Sequence, residues 1–150
     1  MQTDYSAILK RSWAEIPKPK LLPEGSWRLK VRTASFKPPA EEGKNPHVMI
    51  VYEPKEPMQD VPEEALDDLG EEYPLHENRI FHRHWLETGA DYDRLRELII
   101  QHEVDLGANL EESLKTLKGG EIVGFVKVRQ FVGRNGPAEE NVISAFTKVE

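Results

Sequence analysis

From Trp27 onward, apolar and polar residues alternate one by one. Trp27, Leu29 and Val31 fall on one side and Arg28, Lys30 and Arg32 on the other, the period of a strand with one face buried. The run closes at Lys37-Pro38-Pro39, and a polar loop over 40–46 leads to a second predicted strand, His47 to Glu53. A third is predicted from Arg79 to Leu86, a fourth from Ile122 to Val132 and a fifth from Val142 to Val149. Between the third and fourth the period becomes helical. Asp91 is placed to cap a helix whose Leu95, Leu98, Ile99 and His102 share a face. A second short helix starts at Asn109, with Glu112 three residues on for a capping box, and stops at Gly119-Gly120. Asn135-Gly136 signals a hairpin turn within a loop read as longer than two residues.

Ahead of these elements, residues 1–24 read as an N-terminal arm. A short helix is predicted from Tyr5 to Trp13 with Asp4 as its cap, and the proline-rich stretch from Pro17 to Pro23 suits neither helix nor central strand. Residues 25–150 form the domain proper. Its order is three strands, a helical region, then two strands, which does not build a parallel α/β sheet. The expectation is a mainly β fold: a five-stranded OB-fold barrel with a helix between strands 3 and 4.

Composition narrows this picture. A chain of 150 residues makes one domain, burying roughly 70% of its unfolded surface. It has no cysteine, so neither disulfides nor thiolate zinc sites arise. No apolar run approaches the ~20 residues that cross a bilayer, and Met1–Ser12 lacks the apolar stretch of a signal peptide. A cytoplasmic protein without membrane contact is expected. The net charge of −7 argues against a polyanion partner until its distribution is read. Residues 53–77 hold ten carboxylates and one base, Lys55, so this acidic insertion carries −9 and the remainder +2. Inside it, Pro62 to Gly70 reads as a short helix and the rest as loop. Fields fade beyond about 8–10 Å at physiological salt, so the local balance governs binding.

The outward strand faces carry the candidate chemistry. Arg79, Phe81, Arg83 and Trp85 share one face of the third strand, and Phe125, Lys127, Arg129 and Phe131 one face of the fourth. Ile122, Val126 and Val128 take the opposite face of the fourth, and the first strand adds Arg28, Lys30 and Arg32. Cations that neutralise phosphates, interleaved with rings that stack on bases for roughly 1–3 kcal/mol each, suit single-stranded nucleic acid. Two plainer readings compete: aromatics in a small barrel are usually core, and the cations can pair with the chain's own acidic segment. That segment is either a solvated loop or a competitor of DNA for the cationic face. His82 and His84 form an H-x-H pair with His47, His76 or His102 as further donors, but ordinary histidines are the favoured reading and no metal is assigned. No acid–base constellation, nucleophile elbow or phosphate loop is evident, so no catalytic residue and no cofactor are assigned.

The residues also carry a resemblance. Lys18-Pro19-Lys20, Leu22-Pro23-Glu24-Gly25-Ser26-Trp27 and Arg79-Ile80-Phe81 carry it, with the Asp91–Val104 helix, Gly120-Glu121-Ile122-Val123-Gly124 and Asn141-Val142-Ile143. In these the chain resembles a family of small bacteriophage proteins, OB-fold single-stranded DNA-binding proteins, over most of its length. The resemblance implies sequence-independent coating of single strands in phage DNA replication or recombination, in the host cytoplasm and without catalysis. Replication or recombination proteins are the implied partners, and self-association is left open. One departure stands out: the chain ends Phe146-Thr147-Lys148-Val149-Glu150, without the acidic tail through which such proteins recruit enzymes. The alternative is a protein-interaction or structural accessory module without nucleic-acid binding.

Overall fold

The computed structural model describes residues 5–10, 20–70, 73–134 and 136–149. Its elements in chain order are α1 (Ser6–Leu9), β1 (Gly25–Lys37), β2 (His47–Pro57), α2 (Glu63–Leu69), a 3-10 turn at Leu75–Glu77, β3 (Ile80–Trp85), α3 (Gly89–Gln101), α4 (Leu110–Leu117), β4 (Glu121–Gly133) and β5 (Gly136–Thr147). The fold is mainly β, as expected, with helices between β3 and β4. Asp4 and most of the predicted Tyr5–Trp13 helix beyond α1 lie outside the described residues, as do Pro17 and Pro19.

All five strands join one antiparallel sheet in the order β3-β2-β1-β4-β5. The expected closed barrel is not formed: β3 and β5 are the edges of an open sheet and share no ladder. The sheet nevertheless curls. Two register shifts in the β1–β2 ladder leave Lys55 and then Arg32 as extra residues, and such bulges bend a strand and sharpen its twist. Phe146 of β5 thereby reaches His82 of β3 edge-on, with ring centroids 5.0 Å apart, and Tyr52 of β2 at 5.8 Å.

The alternation in β1 buries Trp27, Leu29 and Val31. Opposite them, Ile122 and Val126 of β4 and Ile50 and Tyr52 of β2 fill the concave face, which Leu95, Ile99 and Leu117 of the helices cover. Trp27 pairs in register with Gly124, where an added Cβ would stand 2.7 Å from Leu29 Cδ1. His102 joins this core as the face of α3 predicted. It is 2% exposed; its Nδ1–H donates to Leu98 O at 2.6 Å, so Nε2 accepts from the Tyr52 hydroxyl at 2.9 Å.

The end of the arm docks between the two sheet edges. Leu22 is buried, and Asn141 of β5 bonds both its backbone groups: Leu22 N–H donates to Asn141 Oδ1 at 2.9 Å and Asn141 Nδ2 to Leu22 O at 3.1 Å. The Tyr73 hydroxyl donates to Lys20 O at 2.6 Å.

Several expectations need correction. The N-cap of α3 is Thr88, not Asp91; Asp91 is the third residue of a capping box, accepting from Glu87 N–H and Thr88 N–H. Asn109 caps α4 as expected, but the Glu112 carboxylate accepts from Ala108 N–H, one residue earlier than a capping box requires. Asn135 lies outside the described residues, but Gly133 and Gly136 already pair, and β5 starts at Gly136 rather than Val142. The second strand does not end at Glu53: β2 runs into the acidic insertion as far as Pro57, ahead of α2, the short helix expected over Pro62 to Gly70.

Candidate nucleic-acid interface

Register decides which side chains share a face. Phe81 pairs with Val51, Arg83 with Met49 and Trp85 with His47, while β1 sets Thr33, Ser35 and Lys37 against those same β2 residues. All of these point to the convex face, because Ile80, His82 and His84 alternate to the concave one. Phe81 is 56% exposed and Trp85 49%. Arg83 between them has no hydrogen-bond or ion-pair partner among the described residues. The Trp85 ring packs on His47 at 4.7 Å between centroids. Burial first, then the charges of Arg83 and Lys37, hold His47 below the usual imidazole pKa, which places these two cations in one local positive field.

Arg79 precedes β3 and donates to two carbonyl oxygens, His76 O at 2.7 Å and Asn78 O at 3.3 Å. No carboxylate neutralises it among the described residues. It lies with Phe81 along a groove of about 700 Å³ between the sheet edges, whose opposite wall includes Glu139 and Glu140 of β5.

On β4 the outward side chains are Phe125, Lys127, Arg129 and Phe131, as the alternation predicts. Phe125 is half-buried and Lys127 Nζ sits 5.9 Å from its ring centroid. Phe131 is 39% exposed. Arg129 is spoken for: it forms an ion pair with Glu140, its direct partner on β5. β4 and β5 extend beyond β1, which pairs with β4 only between Gly25 and Lys30, so this hairpin projects from the sheet.

The β1 cations face the same side but stand differently. Arg28 lies between Glu56 of β2 at 3.2 Å and Glu121 of β4 at 3.5 Å. Arg32, displaced by the bulge, reaches Glu53 at 3.3 Å and His76 O at 3.2 Å. Lys30 sits in register between Glu53 and Glu121. Here the intramolecular salt network foreseen as an alternative is present, and it engages the start of the acidic insertion. Each exposed pair contributes only about 0–1 kcal/mol to stability, but together they cancel the local charge.

The geometry therefore gathers Arg79, Phe81, Arg83 and Trp85 into one open surface, keeps Phe125, Lys127 and Phe131 accessible on the hairpin, and leaves Arg28, Arg32 and Arg129 matched by carboxylates. Sequence reasoning missed His47, Met49, Val51 and Lys37, which complete the β3 surface. The first three were legible in the period of two along β2, whereas Lys37 of β1 is turned to this face by the bulge at Arg32, against the alternation of its own strand. Histidine and carboxylate groups do not gather into a metal site among the described residues. Asp91, held near pKa 2 by the Glu87 and Thr88 backbone N–H groups and by Arg94, is explained by capping. No helix among the described residues is long and apolar enough to cross a membrane. No family model matches the chain, and no curated protein matches it significantly.

Proposed function

We infer that this protein binds single-stranded DNA without sequence preference, through the convex face of β3 and the outward face of the β4–β5 hairpin. The observation that carries this reading is Arg83, without a hydrogen-bond or ion-pair partner among the described residues and flanked on its own strand face by the exposed rings of Phe81 and Trp85. Such a face meets phosphate with charge and bases with π surface. The strand order β3-β2-β1-β4-β5 supports an OB-type assignment, since it is the order of that barrel opened between its third and fifth strands. The resemblance to phage single-stranded DNA-binding proteins supports a role in phage replication or recombination within the host cytoplasm.

The test is titration with labelled oligo-dT at two salt concentrations. Binding should quench the fluorescence of Trp85 and weaken steeply as salt rises, because phosphate contacts release counterions. Duplex DNA of equal length should bind far more weakly. Failure to bind oligo-dT at low salt would sink the reading. The competing role, a protein-interaction module, draws on a different surface, the side of β1 that faces α4.

A further inference from the structure

β1 is 13 residues long, but only its first half lies between two strands. β4 accompanies it from Gly25 to Lys30, and the next residue, Val31, is bonded on that side by the chain leaving α4: Val31 N–H donates to Gly120 O at 2.8 Å and Gly119 N–H to Val31 O at 2.9 Å. From Thr33 to Lys37 the strand pairs with β2 alone, in unbroken register. Its other edge borders a groove of about 730 Å³ between the strand and α4. Among the described residues, no backbone bond reaches Thr33–Lys37 from that side.

Three features of the groove identify its occupant. An open strand edge presents main-chain N–H and C=O groups at the spacing of another strand. Its apolar lining comes from Leu110 and Leu114 of α4 and from Phe36, which is 46% exposed. Its rim is basic, with Lys115 and Lys118, beside Lys37 at the strand end. Glu111 offsets part of this through an exposed pair with Lys115 at 3.8 Å. In a chain of net charge −7, a basic rim beside an apolar strand edge is complementary to an acidic segment. One ring without a second makes a poor base-stacking platform, so the chemistry favours peptide over nucleic acid.

We propose that the Thr33–Lys37 edge of β1 and the facing side of α4 form a docking groove for an extended acidic peptide of a partner protein, which adds to the sheet as a strand beside β1. Apolar side chains of the peptide at every second position rest against Leu110 and Leu114, and its carboxylates meet Lys118 and Lys115. Apart from Lys37, which borders both, the groove is lined by residues outside the β3 and β4 surfaces proposed for DNA, so a DNA-bound molecule can hold the partner at the same time.

The test uses the full chain and three blocked, fluorescein-labelled hexapeptides: alternating aspartate and valine, alternating lysine and valine, and the first with proline at its central valine. The acidic peptide should bind and should slow amide exchange at Thr33–Lys37. The basic and proline peptides should bind at least about tenfold more weakly, since they lose charge complementarity or ladder bonds. Lys118→Glu should weaken the acidic peptide about tenfold, while Arg83→Glu should leave its affinity unchanged, which separates this groove from the DNA reading. Equal binding of all three peptides, or no exchange protection at Thr33–Lys37, would overturn the proposal. So would displacement of the peptide by oligo-dT with protection of those same amides, which would make the groove a nucleic-acid surface.

Discussion

On β1 the outward cations Arg28 and Arg32 meet carboxylates of neighbouring strands, whereas on β3 Arg83 faces Met49 and meets none among the described residues. Both strands alternate cations with apolar residues, and both turn their cations to the convex face. The difference is position in the sheet. β1 is central from Gly25 to Lys30, so Arg28 and Lys30 have a strand on either side, and those strands bring Glu53, Glu56 and Glu121 beside them, while Arg32, in the bulge, reaches Glu53 of β2. β3 is an edge strand with one ladder, and β2 offers it His47, Met49 and Val51. A cation's freedom to bind a ligand is thus set by the strands beside it as much as by its own alternation.

The largest effect should come from the other face of β3. His82 points inward against Phe146, and burial first, then the charges of His84 and His102, lower its pKa to about 4. Between the ordinary value of 6.5 and about 4, the unfolded chain binds the proton and the folded chain does not. Stability is therefore fully present above about pH 6.5 and falls as pH drops towards 4, by up to about 3 kcal/mol. Denaturant melts across that range check this, and His82→Leu should flatten much of the acid limb. An unchanged limb in that variant would move the acid sensitivity elsewhere, His102 being the next candidate.

On the outward face the same strand should respond in binding and not in stability. Phe81→Ala and Trp85→Ala should each cost roughly 1–3 kcal/mol of oligo-dT affinity, with melting temperatures little changed because both rings are about half exposed. Fluorescence anisotropy with labelled oligo-dT measures the first and thermal melts the second. Two variants that bind normally would remove β3 from the interface.

Glu53 supplies the contrast on the β1 side. It is 7% exposed and accepts from Arg32, with Lys55 Nζ 3.7 Å away. Glu53→Gln should cost about 1–2 kcal/mol of stability, read as a lower denaturant midpoint, whereas Arg83→Ala should stay within about 0.5 kcal/mol of the parent. Equal losses would erase the distinction between a paired stripe and a free one.

How far the sequence revealed this follows the same logic. Period-two alternation within one strand showed which residues face outward on β3, on β4 and on β1 as far as Arg32, since that depends on local geometry alone. What lay opposite each residue depended on register, and register depended on bulges at Lys55 and Arg32 that no local signal marked. The pairing of Arg28 with Glu56 and the turn of Lys37 to the Trp85 surface follow from those nonlocal choices. The acidic insertion misled for the same reason. Its charge past Glu53, the expected end of the second strand, read as solvated loop, but β2 runs on to Pro57 and Glu56 is a strand residue placed to meet Arg28.

The smallest effect tests whether pairing alone silences β1. Glu56→Gln combined with Glu121→Gln removes both carboxylates from Arg28 without shortening a side chain. The Arg28 side chain is 37% exposed, so its charge then faces solvent on the same convex side as Arg83. Oligo-dT affinity should rise about two- to threefold at low salt and return to the parent value at high salt, as expected of an exposed charge screened within about 10 Å. A rise of that size makes carboxylate neighbours the reason β1 is quiet. No rise, with the fold intact, means that the DNA path stays on β3 and the hairpin whatever the charge of β1. Strand position would then matter through the route of the ligand rather than through neutralisation.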